Sequence, residues 1–446
     1  MNGTDGPPPR RSTTTGDKVV IIGGGATGAL IAVNLAEAGY QVTVCEKASI
    51  GNGSSSRSAA CARAQFGTPE TVIGMRYAED WYVNFATKLQ TSENGTGRVF
   101  VQNGYLFMYE DPSSSDCPDP ADAAMSWQDA PERVRMQQSY DLPVELLNAA
   151  QVRERWPFID QGNIIGATWC PTDGFLRHDL IYQHGFERAR ELGVTILQNT
   201  EVVGARLERS HIVALQTTQG EIPCDWVINA TNAWANRLSG KIGGMELPVE
   251  PLKRFLYFLD RQRKENLMTE EAWRQLPMII YGMCSARGSY SRPDGALLMM
   301  GWAHRADSEP HFTDEDQDHV PPQFGCTGEY AERLHLELAH FAPDLVDPGR
   351  VTRVTSGYYG TTPDHNPIIG LDAQLGNLVH AVGFSGHGLM HAPYTAFLVG
   401  RLLSGDTYVN GKPHTVRLPA PFDEHLVDIS HFDPCREFSH GETQVI

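Results

Sequence analysis

The sequence predicts an α/β protein in which a parallel-sheet domain, assembled from discontinuous segments, carries a second, α+β domain with an antiparallel sheet. Three observations predict it. A strand, glycine turn, helix and strand follow one another through residues 18–46. A β-rich stretch at 195–230 closes on a buried-strand pattern. Another strand, glycine turn and helix run through 382–403. With 446 residues, 41% of them apolar, the chain is long enough for roughly two to three domains.

The first unit is the most explicit. Residues 18–22 (KVVII) are apolar and β-branched, as a strand buried on both faces requires. Gly23-Gly24-Gly25-Ala26-Thr27-Gly28 fits G-x-G-x-x-G, residues 29–38 read as a helix stopped by Gly39, and residues 41–46 form a second strand ending in Glu46. Each residue type has a task. Gly23 permits the tight turn, Gly25 lets the backbone approach a pyrophosphate, and Gly28 lets helix and strand pack closely. Ala26 and Thr27 open the helix, whose N-terminus offers free N–H groups to phosphate, and Glu46 can accept from a ribose diol. The unit is therefore a Rossmann-like dinucleotide fingerprint. The chain contains one such fingerprint, which favours FAD alone over FAD with a docked nicotinamide.

Residues 50–66 (IGNGSSSRSAACARAQF) are small, polar and without period, so they read as a loop beside the dinucleotide, with Arg57 and Arg63 supplying positive charge. The fingerprint, Glu46 and this stretch resemble the D-amino-acid oxidase and sarcosine oxidase superfamily of FAD enzymes, nearest to its sarcosine oxidase β-type and dimethylglycine dehydrogenase-like branch. The resemblance implies that Lys47, Ser55, Ser56 and Arg57 lie along the cofactor.

Residues 180–192 form an amphipathic helix closed by Gly193, with Asp179 as its N-cap. Strands are expected at 195–198, 201–206, 211–217 and 221–230. The resemblance implies that the backbone of Val202 and Val203 reads the adenine and that Ala230, Thr231 and Trp234 belong to a return strand and turn under the cofactor. Asn232 stands where that turn usually has glycine, and Asn tolerates left-handed backbone. His178, in an Arg-His-Asp stretch, is read as a helix-entry residue; the alternative, implied by the resemblance to sarcosine oxidase β-type subunits, is a place near a second, covalent flavin shared with a partner subunit.

Near the C-terminus, GYYGTTPDHNPIIG at 357–370 and VGFSGHGLM at 382–390 resemble the superfamily's C-terminal flavin signature. That implies cofactor contacts from Gly360, Asp364, Gly386, His387, Gly388 and Leu389. The expected division is a disordered tail at 1–16; an FAD-binding domain from 17–101, 159–245 and 348–410; a substrate domain from 102–158 and 246–347; and a C-terminal tail at 411–446.

Composition narrows the partners. Thirty-six basic against 54 acidic side chains give a formal charge of −18, which argues against nucleic acid or an anionic membrane surface. The eight cysteines form no C-x-x-C pair, so no metal site or disulfide framework is signalled and a reduced, cytoplasmic setting is expected. No apolar run spans a membrane, and whether the chain forms a homo-oligomer stays open.

The resemblance implies oxidation of a carbon–nitrogen bond in an amino acid or N-methylamino acid. A neutral amine gives a hydride to flavin N5, and the imine is hydrolysed to a keto acid or aldehyde plus amine. Such a site needs a carboxylate clamp, and a guanidinium grips a carboxylate bidentately. Arg63 and Arg292 lead that choice, ahead of Arg287 and Arg353, with Tyr290, Tyr358 and Tyr359 as hydroxyl donors and His387 beside the ring. Two departures from the family matter. Met299 stands where monomeric sarcosine oxidases carry a lysine that activates O2, leaving Arg63, His304 or His387 to replace it. No cysteine precedes the T-P-D motif, so FAD is expected to be noncovalent. The electron acceptor is O2 or another acceptor; the alternative is a flavin-carrying subunit that passes electrons to a partner.

Overall fold

The computed structural model describes residues 14–91, 98–261, 268–283, 288–302, 317–405, 407–409, 412–439 and 441–442. Its first sheet has six strands in the order Ile368–Leu371, Leu378–Val382, Trp226–Asn229, Lys18–Ile22, Gln41–Cys45 and Thr195–Leu197. All neighbours are parallel except the edge pair Ile368–Leu371 and Leu378–Val382. The head, middle and tail of the sequence thus meet in one sheet. The reason is burial: Val19, Ile21, Val44, Trp226, Ile228 and Val379 are all fully buried, so a strand in any of these segments needs covered neighbours on both faces. Each such side chain contributes roughly 1.5–3 kcal/mol when removed from water.

Helices Ala26–Glu37, His178–Glu191 and Gly388–Ser404 pack together on one face of the sheet. Their approach is close because of glycine. A Cβ on Gly185 would stand 3.1 Å from Ala29 Cβ. Arg177 is the N-cap of the middle helix; Asp179, expected there, lies in its first turn and pairs with Arg177 at 3.0 Å.

The second sheet has eight strands, ordered Gly349–Thr361, Glu250–Arg261, Leu297–Trp302, Ser289–Asp294, Met278–Tyr281, Tyr105–Glu110, Ile164–Cys170 and Glu145–Asn148. It is antiparallel throughout except where Met278–Tyr281 runs parallel to Tyr105–Glu110. Side chains alternate across it. Phe255, Tyr257 and Leu259 join the cluster under helix Glu329–Phe341, while Leu256 and Phe258 join the opposite cluster with Tyr105, Phe107, Tyr290 and Met299. Arg254 falls on the face of Leu256 and Phe258.

Ile164–Cys170 and Gly349–Thr361, expected in the FAD-binding domain, are strands of the eight-stranded sheet. Pairing with residues far away in sequence decides their membership, and a strand's own pattern does not reveal its partner. Residues 1–13 lie outside the described residues, whereas 14–16, expected in the tail, are held against the turn that follows helix Ala26–Glu37: Gly16 N donates to Gly39 O at 3.1 Å. The C-terminal region is built in as well, with strands Thr415–Arg417 and Leu426–Asp428 and buried Phe422, Ile429 and Phe432. Among the described residues no helix is long and apolar enough to cross a membrane, and no cluster of metal-ligating side chains occurs.

Candidate active site

A cavity of about 510 Å³ runs along the C-terminal ends of the first sheet's strands and out to the second sheet. Its first wall is the glycine turn. Gly23 has φ +122°, and a Cβ there would lie 2.5 Å from Ala230 O. A Cβ on Gly28 would lie 2.1 Å from Gly23 O, so Gly28 serves strand–helix packing and does not line the cavity. Gly25, Ala26 and Thr27 do line it. Ser55 Oγ accepts from Ala26 N at 3.0 Å, and a Cβ on Gly25 would meet that oxygen at 2.8 Å. Glu46 ends the second strand with its carboxylate accepting from Gly24 N at 2.7 Å and Ala48 N at 2.9 Å. Glu46 also lines the cavity.

This end of the cavity is cationic. Lys47, Arg237 and Lys241 line it, with Lys47 Nζ 4.8 Å from the Trp234 ring centre and Lys241 paired to Glu201 at 2.5 Å. Val202, Ala230 and Thr231 line it too; Val203 points outward and is 46% exposed, because alternation along Val202–Glu208 sends neighbours to opposite faces.

The second glycine turn forms the far wall. Gly383, Ser385 and Gly386 have φ of +72°, +48° and +91°. A Cβ on Gly386 would stand 2.5 Å from the Tyr359 ring. Gly386, Gly388 and Leu389 line the cavity and lead into helix Gly388–Ser404, which has no acidic residue in its first turn. Asn232, at φ +49°, accepts from Gly383 N at 3.1 Å and Phe384 N at 3.2 Å through Oδ1, so it ties the two turns together.

Several expected site residues act behind the wall, outside the cavity lining. Gly360 abuts Asn232. Asp364 is gripped by Arg436 at 2.7 Å and 3.0 Å. Ser56 Oγ turns back to Gly53 O. His387 and Arg63 are buried side by side, Arg63 Nη2 being 3.4 Å from His387 Nε2. Arg63 also donates to Gln65 O, and its guanidinium lies 3.8 Å from the Phe66 ring centre. Arg292 donates to Ala59 O at 2.8 Å and Pro293 O at 2.7 Å and pairs with Asp294 at 3.1 Å. Arg353 lies over Phe258 and is half exposed. Arg287 and His304 fall outside the described residues. Arg57 does line the cavity, held by Asp318 at 2.9 Å and 3.0 Å.

The far chamber, between the glycine turn and the second sheet, holds Leu256, Tyr290, Tyr358, Tyr359 and Phe384, with Arg254 and Gln317. Sequence reasoning missed the last two. The signal for Arg254 was a charge inside an otherwise alternating buried strand, PLKRFLYFLD. The Tyr290 and Tyr359 hydroxyls are hydrogen-bonded to each other, and burial pushes both phenols above their ordinary range, so both stay protonated at neutral pH. His387 is held well below the ordinary imidazole range, by burial first and then by Arg63, and is neutral.

Residues 18–402 match the family described as DAO, FAD dependent oxidoreductase. The chain belongs to the DAO family of FAD-dependent oxidoreductases. Its cofactor is FAD, and the site fits it: two glycine turns whose Cβ positions are blocked, two helix starts free of acidic side chains, and Glu46 at the end of the second strand. This DAO-family chain is 25% identical over 379 residues to glycine oxidase of Geobacillus kaustophilus, covering 84% of this chain and 90% of that protein. It is 25% identical over 375 residues to FAD-dependent oxidoreductase domain-containing protein 1 of Xenopus laevis, covering 76% and 68%. Among solved structures, L-proline dehydrogenase from P. horikoshii superposes with a TM-score of 0.74 at 26% identity, covering 94% of this chain and 97% of that one.

Proposed function

We propose that this DAO-family enzyme oxidises the carbon–nitrogen bond of an amino acid or N-alkyl amino acid. The carrying observation is the cavity's two-ended character: a cationic end beside the fingerprint, continuous with an aromatic chamber at the second sheet. Among the described residues the acids lining the cavity are Glu46 and Glu201, both at the cationic end, so the chamber presents no carboxylate to act as base. That suits a substrate whose amine arrives neutral, its lone pair assisting as the adjacent C–H bond breaks. Bound FAD supplies the two-electron acceptor that takes the hydride, and water then hydrolyses the imine to a keto acid or aldehyde plus amine. The chain's own task is orientation: Leu256, Tyr358 and Phe384 wall the chamber and exclude water, and the Tyr290–Tyr359 pair supplies phenolic donors. Relatives named glycine oxidase and 4-methylaminobutanoate oxidase support the class of bond.

FAD is held without a covalent link. Cys45 is the cysteine among the described lining residues, and burial pushes its thiol up to about 12, so it carries no thiolate for bond formation. Acid precipitation should release all the flavin into the supernatant. For the reaction, anaerobic mixing with D-, L- and N-alkyl amino acids should bleach the flavin with at least one of them; bleaching by none sinks the reading.

One observation favours a second reading for the electron exit. Met299 is buried among Phe107, Phe258 and Tyr290, an apolar setting without the lysine that assists O2 reduction in similar oxidases. In that reading the electrons pass to a protein partner. Substrate-dependent oxygen uptake by the purified chain would rule it out.

A further inference from the structure

We propose that His380, which lies outside the cavity lining, is a positioning residue for FAD: a buried hydrogen-bond chain, Asp372–His380–Asn229, holds the turn Ala230-Thr231-Asn232 in the form the cofactor requires. The inference rests on FAD as the cofactor and is independent of which bond the enzyme oxidises.

The chain runs across the first sheet beneath the site. His380, in strand Leu378–Val382, is the register partner of Asn229 at the end of strand Trp226–Asn229. Both are fully buried, and so is the Asp372 carboxylate. His380 Nε2 stands 2.9 Å from Asp372 Oδ2, and Asn229 Nδ2 stands 3.3 Å from His380 Nδ1. Asn229 Oδ1 accepts from Thr231 N at 3.1 Å and from Thr231 Oγ1 at 2.7 Å. These contacts fix the polarity of every link. A main-chain N–H only donates, so the Asn229 atom facing Thr231 N is its oxygen, and its NH2 faces His380. Nδ1 of His380 must therefore accept, and the ring proton sits on Nε2, facing a carboxylate that accepts. Burial pushes the Asp372 carboxyl up, but His380 and the N–H groups of Met245 and Gln374 outweigh it and hold the group below its ordinary range.

The far end of the chain is the return turn between the two glycine turns. A Cβ on Gly23 would strike Ala230 O, Thr231 lines the cavity, and Asn232 accepts from Gly383 N and Phe384 N. Asn229 thus ties this turn down from below while Asn232 ties it to the second glycine turn. For stability alone, apolar side chains would serve at fully buried strand positions such as 229 and 380. A polar chain there specifies one conformation, and a broken link leaves a buried donor or acceptor unpaired.

The test dilutes the FAD-loaded enzyme and follows free-flavin fluorescence to obtain the FAD dissociation constant, with thermal unfolding of each variant measured alongside. His380→Leu nearly conserves volume but removes the acceptor beside Asn229, and the constant should rise at least about tenfold. His380→Asn leaves the larger void yet restores an acceptor near the place of Nδ1, and should stay within about threefold of wild type. A packing role ranks the two variants the opposite way, because the void then sets the loss. His335→Leu, in a pair with Asp347 on a helix of the second domain, should leave the constant unchanged. Asp372→Asn decides the matter if His380→Leu does not fold. Two main-chain N–H groups, of Gln374 and Leu375, hold Oδ1, so the introduced NH2 takes the Oδ2 place and faces His380. The imidazole must then carry its proton on Nδ1, against Asn229 Nδ2, and FAD should weaken at least about fivefold with no change of volume. An unchanged FAD constant in His380→Leu or in Asp372→Asn overturns the proposal, as does His380→Asn holding FAD more weakly than His380→Leu. Flavin release is read without substrate, so its outcome is separate from that of the C–N reading.

Discussion

Arg63 Nη2 stands 3.4 Å from His387 Nε2 across 324 positions of sequence, with the Phe66 ring against both. A guanidinium can only donate, so the imidazole nitrogen it faces must accept, and His387 is neutral for a geometric reason. His391, one helical turn on, donates from Nδ1 to His387 O at 3.1 Å, and burial lowers its pKa to about 4.

The two histidines make the fold acid-sensitive. Unfolded, each binds a proton near pH ~6.5; folded, each resists it down to about 4 for His391 and well below the ordinary value for His387. The unfolded state therefore holds more protons across this window, and stability falls as pH falls through it. The contribution of His391 is on the order of 3 kcal/mol. Thermal unfolding between pH 7 and pH ~4 should show the slope, and His391→Asn should flatten it.

Glu79 and Asp173 carry the opposite sign. Both are fully buried, and Glu79 gives its proton to Asp173, whose oxygens also accept from Ala64 N and Gln65 Nε2, each at 3.0 Å. Burial foremost, and then the neighbouring Asp173, hold the Glu79 carboxyl well above its ordinary range. A raised folded-state pKa means stability present in acid and lost as pH rises through it. Glu79→Gln keeps a donor without the titration, so denaturant melts at alkaline pH should find it more stable than wild type, and the gap should close near pH ~5.

Asn232 does two tasks at once. Its φ of +49° is compatible with glycine, but its Oδ1 acceptance from Gly383 N and Phe384 N is not. Asn232→Gly should therefore cost about 1–3 kcal/mol of stability and loosen FAD, read from denaturant melts and flavin release. Unchanged flavin retention would mean the turn holds itself.

Arg436 closes the C-terminal segment onto Asp364, which is 2% exposed. Glu442 completes the strap, its main-chain N–H donating to Asp364 O at 2.8 Å and its carboxylate accepting from Gly67 N at 2.6 Å. Removing one partner of a buried ion pair leaves the other uncompensated, so Arg436→Met should destabilise by roughly 3–5 kcal/mol and Arg436→Lys by less. Chemical denaturation measures both.

Much of the cofactor site was legible because its requirements are local. Gly23 and Gly386 announce themselves: both have positive φ, and a Cβ would strike Ala230 O or the Tyr359 ring. The tail's role was not legible, since Asp364 lies 72 positions from Arg436 and Gly67 lies 375 positions from Glu442.

What the amino-acid order determined alone was the fingerprint turn and the buried strands, since steric limits on a turn and the alternation of apolar residues act between near neighbours; FAD was implied by the resemblance of the motifs to a known family. Tertiary structure decided which arginines line the cavity. Arg63 and Arg292 sit in the more suggestive sequence contexts, yet folding commits both to carbonyl oxygens, while the register of two long strands places Arg254 opposite a glycine and inside the chamber. A side chain's charge is written in the sequence. The groups it neutralises and the direction it faces depend on contacts that exist only once distant strands have paired.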